Sequence, residues 1–250
     1  MTAPAKDIVT AAVLVIGDEI LSGRTKDKNI GFIADHLTAI GIQLKEVRIV
    51  PDEEPEIVAG LNALRAKYDY VFTTGGIGPT HDDITADAIA KAFGVGIDID
   101  PRAVAIMRPH YEGRGLDFTP GRMRMARIPA GAELVDNPVS KAPGFMLANV
   151  VVMAGVPNIM QAMLLAVTPR LATGKKMLSL VLTVRRPESE IAELFANVQK
   201  QFPDVPMGSY PFSDEKGYGA NLVLRAIDPA RLEAAQGLLS ASLVAAGFTD

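Results

Sequence analysis

Apolar residues recur along this chain in two rhythms, and the alternation between them lays out its elements. Residues 11–16 (AAVLVI) form an unbroken apolar run, as expected of a parallel strand buried on both faces. Residues 29–40 place Ile30, Ile33, Ala34, Leu37 and Ile40 on one helical face, and Gly41 stands where such a helix would stop. Residues 42–50 mix polar and apolar positions, which suits a strand nearer an edge. Residues 55–66 return to helical spacing through Ile57, Val58, Leu61 and Leu64, and residues 68–72 supply a third strand. The order β-α-β-α-β predicts an α/β protein with a parallel, doubly wound sheet and right-handed crossovers.

Beyond residue 94 the rhythm loosens. A helix is predicted over 101–111, followed by glycine- and proline-rich connections and a loop over 137–145. The apolar run 150–154, broken at Gly155-Val156-Pro157-Asn158, leads into a helix over 159–167. Residues 172–176 resemble a linker. After it come an alternating strand (178–185), a helix (188–202), two extended segments (207–212 and 218–227) and an Ala/Leu-rich helix (230–246). This second series, β-α-β-β-α, predicts a small α+β domain with antiparallel pairing. The expected division is residues 1–172 and 173–250. The second part carries no acidic cluster or glycine-rich phosphate loop, so assembly, or lining a cleft, is its expected role.

The chemistry concentrates at the ends of the predicted strands. The stretch VFTTGGIGPTHDDIT (71–85) runs from strand through a glycine-rich loop into a helix. That geometry presents backbone N–H groups and a helix N-terminus to an anion. Gly75, Gly76, Gly78, Pro79 and Thr80 are therefore candidate ligand-binding positions. Asp82 and Asp83 would repel a bare phosphate, which a divalent cation between them would resolve. Mg²⁺ is commonly held by one or two carboxylates plus phosphate oxygens. Capping the following helix is the plainer role for these acids. Gly17, Asp18 and Glu19 follow the first strand and Asp52 follows the second. In doubly wound sheets ligands bind at the carboxyl ends of strands, so these acids are expected on one rim, although each also suits an ordinary turn or cap. Ser140, Lys141 and Gly144 in the 137–145 loop, with Gly155 after the next strand, offer further donors on that rim. Of Arg122, Arg124 and Arg127, at least two are expected in ion-paired or solvated faces. His81 and His110 stand apart from any metal-ligand spacing and are expected to be structural.

Composition narrows the partners. The chain has 250 residues, 48% hydrophobic and 22% charged, with a formal net charge of −4 and no basic block. A nucleic-acid partner is not suggested, whereas a small phosphorylated ligand is compatible. There is no cysteine, so disulfides, thiolate metal sites and cysteine nucleophiles are excluded. The start of the chain is polar and no apolar run reaches membrane-spanning length, which predicts a cytoplasmic protein without a membrane partner.

Three segments stand together: Gly17 through Gly23 (GDEILSG), Gly75 through Asp83 (GGIGPTHDD) and Asn137 through Phe145 (NPVSKAPGF). In this order they resemble the molybdopterin-binding domain shared by molybdenum-cofactor biosynthesis proteins and by the competence/damage-inducible CinA proteins. The similarity runs over about residues 8–171, and the remainder resembles the small domain that follows in CinA. The amidohydrolase domain of full-length CinA proteins has no counterpart here, so deamidation of nicotinamide mononucleotide is not implied. The resemblance implies a Rossmann-like three-layer core that binds a pterin or nucleotide pyrophosphate, with a dimer or trimer as the assembly. Its CinA-type members imply metal-dependent hydrolysis of ADP-ribose. Its biosynthetic members imply molybdopterin binding or adenylylation with Mg-ATP. In the biosynthetic members the matching functional acids are Asp52 and Asp83, with Gly75, Gly76 and Gly78 as the phosphate cradle, and Asp18 and Glu19 match the acidic start motif. Asp52 or Glu19 is the candidate general base. This chain departs from the CinA pattern at three places: Ala154 stands for a proline, Ile159 for an acid, and Ser140-Lys141 for Gly-Thr.

Overall fold

The computed structural model describes residues 6–215 and 217–248, so the first five residues of the polar start read above lie outside the described residues. The chain forms two compact units, Met1–Gly174 and Lys175–Asp250.

In the first unit the elements run β1 (Val9–Ile16), α1 (Asp18–Leu21), α2 (Asn29–Ala39), β2 (Ile42–Val50), α3 (Glu54–Arg65), β3 (Tyr70–Thr74), α4 (Thr85–Phe93), β4 (Ile97–Ile99) and α5 (Pro101–Glu112). They continue through α6 (Pro120–Arg124), β5 (Arg127–Pro129), β6 (Glu133–Val135), β7 (Gly144–Leu147), β8 (Val150–Met153) and α7 (Pro157–Val167). Six strands make one sheet in the order β2-β1-β3-β8-β7-β6, while β4 and β5 pair as a separate ribbon. Strand β1 pairs in parallel with β2 and β3, and β3 in parallel with β8.

Strand β1 is the centre of this unit, and its alternation builds three layers. Val9, Ala11, Val13 and Val15 face one way, against Ile33 and Leu37 of α2 and Met160, Met163, Leu164 and Val167 of α7. Ala12, Leu14 and Ile16 face the other way, against Ile57, Leu61 and Leu64 of α3, Ala88 and Ile89 of α4, and Met107 of α5. A side-chain period of two on a strand sends successive residues to opposite faces, so an all-apolar strand requires helices on both sides. The helices obey the 3.6-residue period on the faces that the sequence marks.

The parallel sheet expected from the sequence is in fact mixed. Strand β7 runs antiparallel to β8, and β6 antiparallel to β7. Only Ala148 and Asn149 separate Leu147 from Val150, too short for a parallel crossover and right for a hairpin. Ala148 takes φ 51° in that turn. The Asn149 amide donates to the carbonyls of Arg65 and Tyr68, both at 3.0 Å, which locks the hairpin to the end of α3. The loop expected over 137–145 therefore closes by entering β7 at Gly144.

The second unit contains β9 (Leu178–Val184), α8 (Glu188–Gln201), β10 (Met207–Asp214), β11 (Gly217–Ala226) and α9 (Pro229–Ala245). Its antiparallel sheet has the order β10-β11-β9. Val184, Leu222 and Leu224 from the strands pack against Ile191 and Val198 of α8 and Leu232 and Leu239 of α9. Gln199 joins helix to sheet: its amide donates to the Phe202 and Val205 carbonyls, and its Oε1 accepts from the Met207 N–H at 2.8 Å.

One histidine couples the first unit to pH. Thr168 donates its hydroxyl to the Leu164 carbonyl at 2.7 Å, so it accepts from His36 Nε2–H, also at 2.7 Å. Burial lowers the His36 pKa below its ordinary 6.5 because the charged imidazolium is disfavoured there. A base whose folded-state pKa is depressed contributes stability that is present above its unfolded value and lost as pH falls through the folded one. Melting temperature is expected to fall as the pH is lowered below 6.5. In a pH series by circular dichroism, His36→Gln, which keeps a donor for Thr168, is expected to flatten that slope.

Candidate functional site: the crest of the first sheet

The carboxyl ends of β1, β3 and β8 bring three loops together. Gly17 N–H still bonds the Val50 carbonyl at 3.1 Å, and Gly75 N–H the Met153 carbonyl at 3.2 Å, so both loops leave the sheet from fixed points. Gly75 has φ 103° and Gly76 φ 65°, in the region that disfavours residues with a Cβ. A Cβ on Gly75 would stand 2.1 Å from the Ile16 carbonyl oxygen. Thr85 fixes the turn from the other side. It is fully buried, donates its hydroxyl to the Gly75 carbonyl at 3.0 Å, and donates its N–H to the Gly76 carbonyl at 3.0 Å. The loop after β8 lies directly on this turn, since a Cβ on Gly155 would come within 3.2 Å of Gly75 Cα. Buried Asn29 at the start of α2 donates to the Gly155 carbonyl at 2.8 Å. Thr85 and Asn29 are site-building residues that the sequence reading missed. The available signals were a hydroxyl residue opening the helix after a glycine loop and the Asp27 carboxylate, which accepts from Asn29 N and Ile30 N.

The acids fall into two groups. Asp52 accepts from Asp18 N–H at 3.0 Å. Its pKa is raised, first by burial and then by the negative charges of Asp18, Glu19 and Asp82, against the opposing backbone hydrogen bond from Asp18. Those four carboxylates therefore share one patch. Asp18 and Glu19 open the single helical turn α1, and Glu19 folds back over Gly17, where a Cβ would stand 2.5 Å from its Oε2. Asp83 is engaged differently. Its Oδ2 accepts from Thr80 N at 2.8 Å and from Thr80 Oγ at 2.5 Å, closing the Pro79-Thr80 segment on itself. The Asp82 side chain is 65% exposed. The structural role expected for His81 is not found: its ring is 99% exposed, with Asp82 at 3.9 Å. His110 packs edge-on against Tyr111.

Among the described residues no group of three or more His, Cys, Asp or Glu side chains is close enough to hold a metal ion unaided. The oxygen chemistry of the Asp52 patch nevertheless suits a hard divalent cation. Such a cation would relieve the mutual repulsion that adds to burial in raising Asp52. Mg²⁺ ordinarily takes only one or two carboxylates, completing its shell with water and phosphate oxygens.

The 137–145 loop is built around Asn137, which is buried. Its amide donates to Ser140 Oγ at 2.6 Å and the Ala142 carbonyl at 2.8 Å, while its Oδ1 accepts from Val139 N and Ser140 N, both at 3.1 Å. Ser140 is thus part of the loop's own scaffold. Lys141 sits at φ 64°, and its charge, with that of Arg114, acts on His110. It is not among the residues around the crevice between this loop and the glycine loop. That crevice is bordered by Gly76, Gly78, Asp83, Arg124, Pro143 and Phe145. Gly144 is buried against Val152, whose carbonyl oxygen would be 2.2 Å from a Cβ there, so its role is close packing. Ala154 and Ile159 pack on the core beside Met160 and Met163, which makes the position of the expected acid an apolar one.

A mainly parallel α/β sheet with a glycine loop and a carboxylate patch on its carboxyl edge is the architecture of the doubly wound class. Residues 12–173 match the family model described as "Probable molybdopterin binding domain", and residues 176–250 match "FAD synthase, middle domain". The chain belongs to the molybdopterin-binding domain family. A protein of Pyrobaculum arsenaticum is 37% identical over 216 residues, covering 83% of this chain and 82% of that protein. A CinA-like protein of Desulfosudis oleivorans is 36% identical over 209 residues, covering 79% of this chain but 51% of that protein. The crystal structure of the protein CinA from Thermoplasma acidophilum superposes with a TM-score of 0.61 at 36% identity, over 66% of this chain and 99% of that one. No helix among the described residues is long and apolar enough to cross a membrane.

The carboxylate patch has a measurable consequence. A raised carboxyl pKa means that ionisation destabilises the folded state, a penalty present above the folded pKa and absent below the unfolded value of 3.8, where both states are protonated. In metal-free buffer Asp52→Asn is expected to raise the melting temperature at pH 7, and the gain should vanish as the pH falls below 3.8. A variant that melts at or below wild type at pH 7 would contradict the crowding.

Proposed function

We propose that this protein hydrolyses a nucleotide pyrophosphate such as ADP-ribose in a divalent-metal-dependent reaction. The observation that carries the reading is the adjacency, on one sheet edge, of a glycine turn opening into α4 and a patch where the Asp52 pKa is raised first by burial and then by Asp18, Glu19 and Asp82. Anion donors and surplus negative charge so close together suit a ligand that brings phosphates and a cation at once.

The N–H groups of Gly76, Ile77 and Gly78 orient the diphosphate, those of Gly75 and Thr80 being held by Met153 and Asp83. The carboxylates of Asp52 and Asp82 hold the cation, with Asp18 and Glu19 adding to the field. When bound, Mg²⁺ supplies neutralisation of phosphate charge and lowers the pKa of coordinated water. Glu19, beside that patch, accepts the proton of the attacking water. Asp83 contributes by holding Thr80, which fixes the loop. In such chemistry positioning and electrostatics supply most of the acceleration.

A second reading is a molybdopterin-binding protein without hydrolytic turnover, or one that adenylylates the pterin with Mg-ATP. The match of residues 12–173 to the molybdopterin-binding model supports it, as does the apolar setting of Ile159.

The deciding experiment is a metal-titrated panel of nucleotide pyrophosphates, with calorimetry on molybdopterin alongside. Release of AMP from ADP-ribose that requires Mg²⁺ is expected, with Asp52→Asn lowering kcat by about 100-fold or more. Tight pterin binding with no pyrophosphate turnover under any divalent metal would overturn the hydrolase in favour of the second reading.

A further inference from the structure

The three arginines near the glycine loop are used in three different ways. Arg127 is committed to Asp87 through two parallel hydrogen bonds of 2.7 and 2.6 Å, the bidentate arrangement that satisfies both groups. Arg122 lies over the Tyr111 ring at 4.4 Å and donates to the Asp117 carbonyl. Arg124 is left incomplete. One of its terminal nitrogens donates to the Asp83 carbonyl at 3.1 Å, and Asp87 is 4.0 Å away, beyond hydrogen-bond range. Its Nε–H is buried from water and has no acceptor. A buried donor without a partner is penalised, and such a group calls for an explanation.

The surroundings supply one. Arg124 borders a cavity of about 20 Å³ together with Gly76, Gly78, Asp83 and Arg127. That volume accommodates a single oxygen-sized group. Arg124 and Arg127 share the carboxylate of Asp87, while the Asp83 carboxylate, which also borders the cavity, is taken up by Thr80. The charges that shift Asp52 are, by contrast, all negative. One part of the crest is thus suited to a cation and another to an anion.

We propose that Arg124 is the phosphoryl-binding residue of this crevice, its guanidinium turning to bring its N–H groups, the unpartnered Nε–H included, onto an oxygen of the phosphoryl group that the glycine loop cradles. The inference deepens the reading of the crest as a diphosphate site and rests on it. A guanidinium is suited to this role because it carries a fixed charge and donors in a planar fork, which an ammonium lacks.

The test is calorimetric binding of inorganic pyrophosphate, and separately of orthophosphate, to the full chain in magnesium-containing buffer. Arg124→Gln is expected to weaken pyrophosphate binding by about tenfold or more, and Arg124→Lys by an intermediate factor. Arg122→Gln, which alters a guanidinium already occupied by Tyr111 and Asp117, is expected to stay within about twofold of wild type. Retention of orthophosphate binding with the same Arg124 dependence would assign the residue to one phosphoryl group; dependence with pyrophosphate alone would assign it to the diphosphate. Wild-type binding of neither anion, or Arg124→Gln binding pyrophosphate within about twofold of wild type, would overturn the proposal. Should Arg124→Gln not fold by circular dichroism, the Arg124→Lys result decides. Arg124-dependent pyrophosphate binding without ADP-ribose turnover sinks the hydrolase and spares this inference. ADP-ribose turnover by Arg124→Gln with unchanged KM does the reverse.

Discussion

Gly75 stands where β3 leaves the sheet beneath the last carbonyl of β1, and much of the crest depends on that contact. With φ at 103° and only 2.1 Å between a Cβ built there and the Ile16 oxygen, no side chain fits without moving one of the two central strands. Each strand is fixed by neighbours on both sides, so neither yields cheaply. The bare backbone lets three loops stack: the turn itself, Gly155 above it, and the start of α4, where Thr85 returns hydrogen bonds to both Gly75 and Gly76. A left-handed turn costs a non-glycine residue about 1–2 kcal/mol, and the steric clash would add to that. The glycine loop is therefore a consequence of how closely β1, β3 and β8 converge.

Once the loops are fixed, charge becomes the variable. The first sheet places carboxylates after β1, after β2 and within the glycine loop, and it half-buries one of them. Among the described residues Asp52 receives one hydrogen bond, from Asp18 N–H, while burial first and then three neighbouring acids push its pKa upward. A protein selected for stability alone would not keep such a group. Structural carboxylates elsewhere in the molecule show the contrast. Asp87 is matched by Arg127, and Asp100 is held below its ordinary value first by the Arg102 side chain and then by the Arg102 backbone N–H. Unmatched acids lie at the crest, where the fold's ligand rule places a site, which is why the departure reads as chemistry.

Much of this was legible in the sequence, and what was not has identifiable causes. Strands β1 and β3 and helices α2, α3 and α4 announced themselves by unbroken apolar runs or by 3.6-residue spacing, because each is buried on a well-defined face. The small elements did not. Strands β4, β5 and β6 have three residues each, too short for any period to register. Strand β7 was hidden because Gly144-Phe145 reads as the end of a turn, and its antiparallel sense follows from a two-residue hairpin rather than from hydrophobicity. At the site, glycines and acids stand out as residue types. Whether Asp83 faces a ligand or Thr80 is settled by a side-chain rotation that no spacing encodes. Asn29 and Thr85 were missed for a related reason: their importance lies in which distant carbonyl they reach.

The arginines carry the same lesson one step further. In the sequence Arg122, Arg124 and Arg127 are three equivalent charges within one stretch of six residues. In the fold they separate according to the acceptors within reach: a tyrosine face and a carbonyl, a lone carbonyl, and a complete carboxylate. A guanidinium has five N–H donors in a fixed plane, so a local shortage of acceptors cannot be hidden by rotating the group. The shortage at Arg124 and the surplus of acids around Asp52 are complementary defects, each of which a phosphorylated ligand with its counter-ion would correct. Neither defect has a counterpart in the ion pairs of the second unit, where Arg231 and Asp204 satisfy each other through two hydrogen bonds.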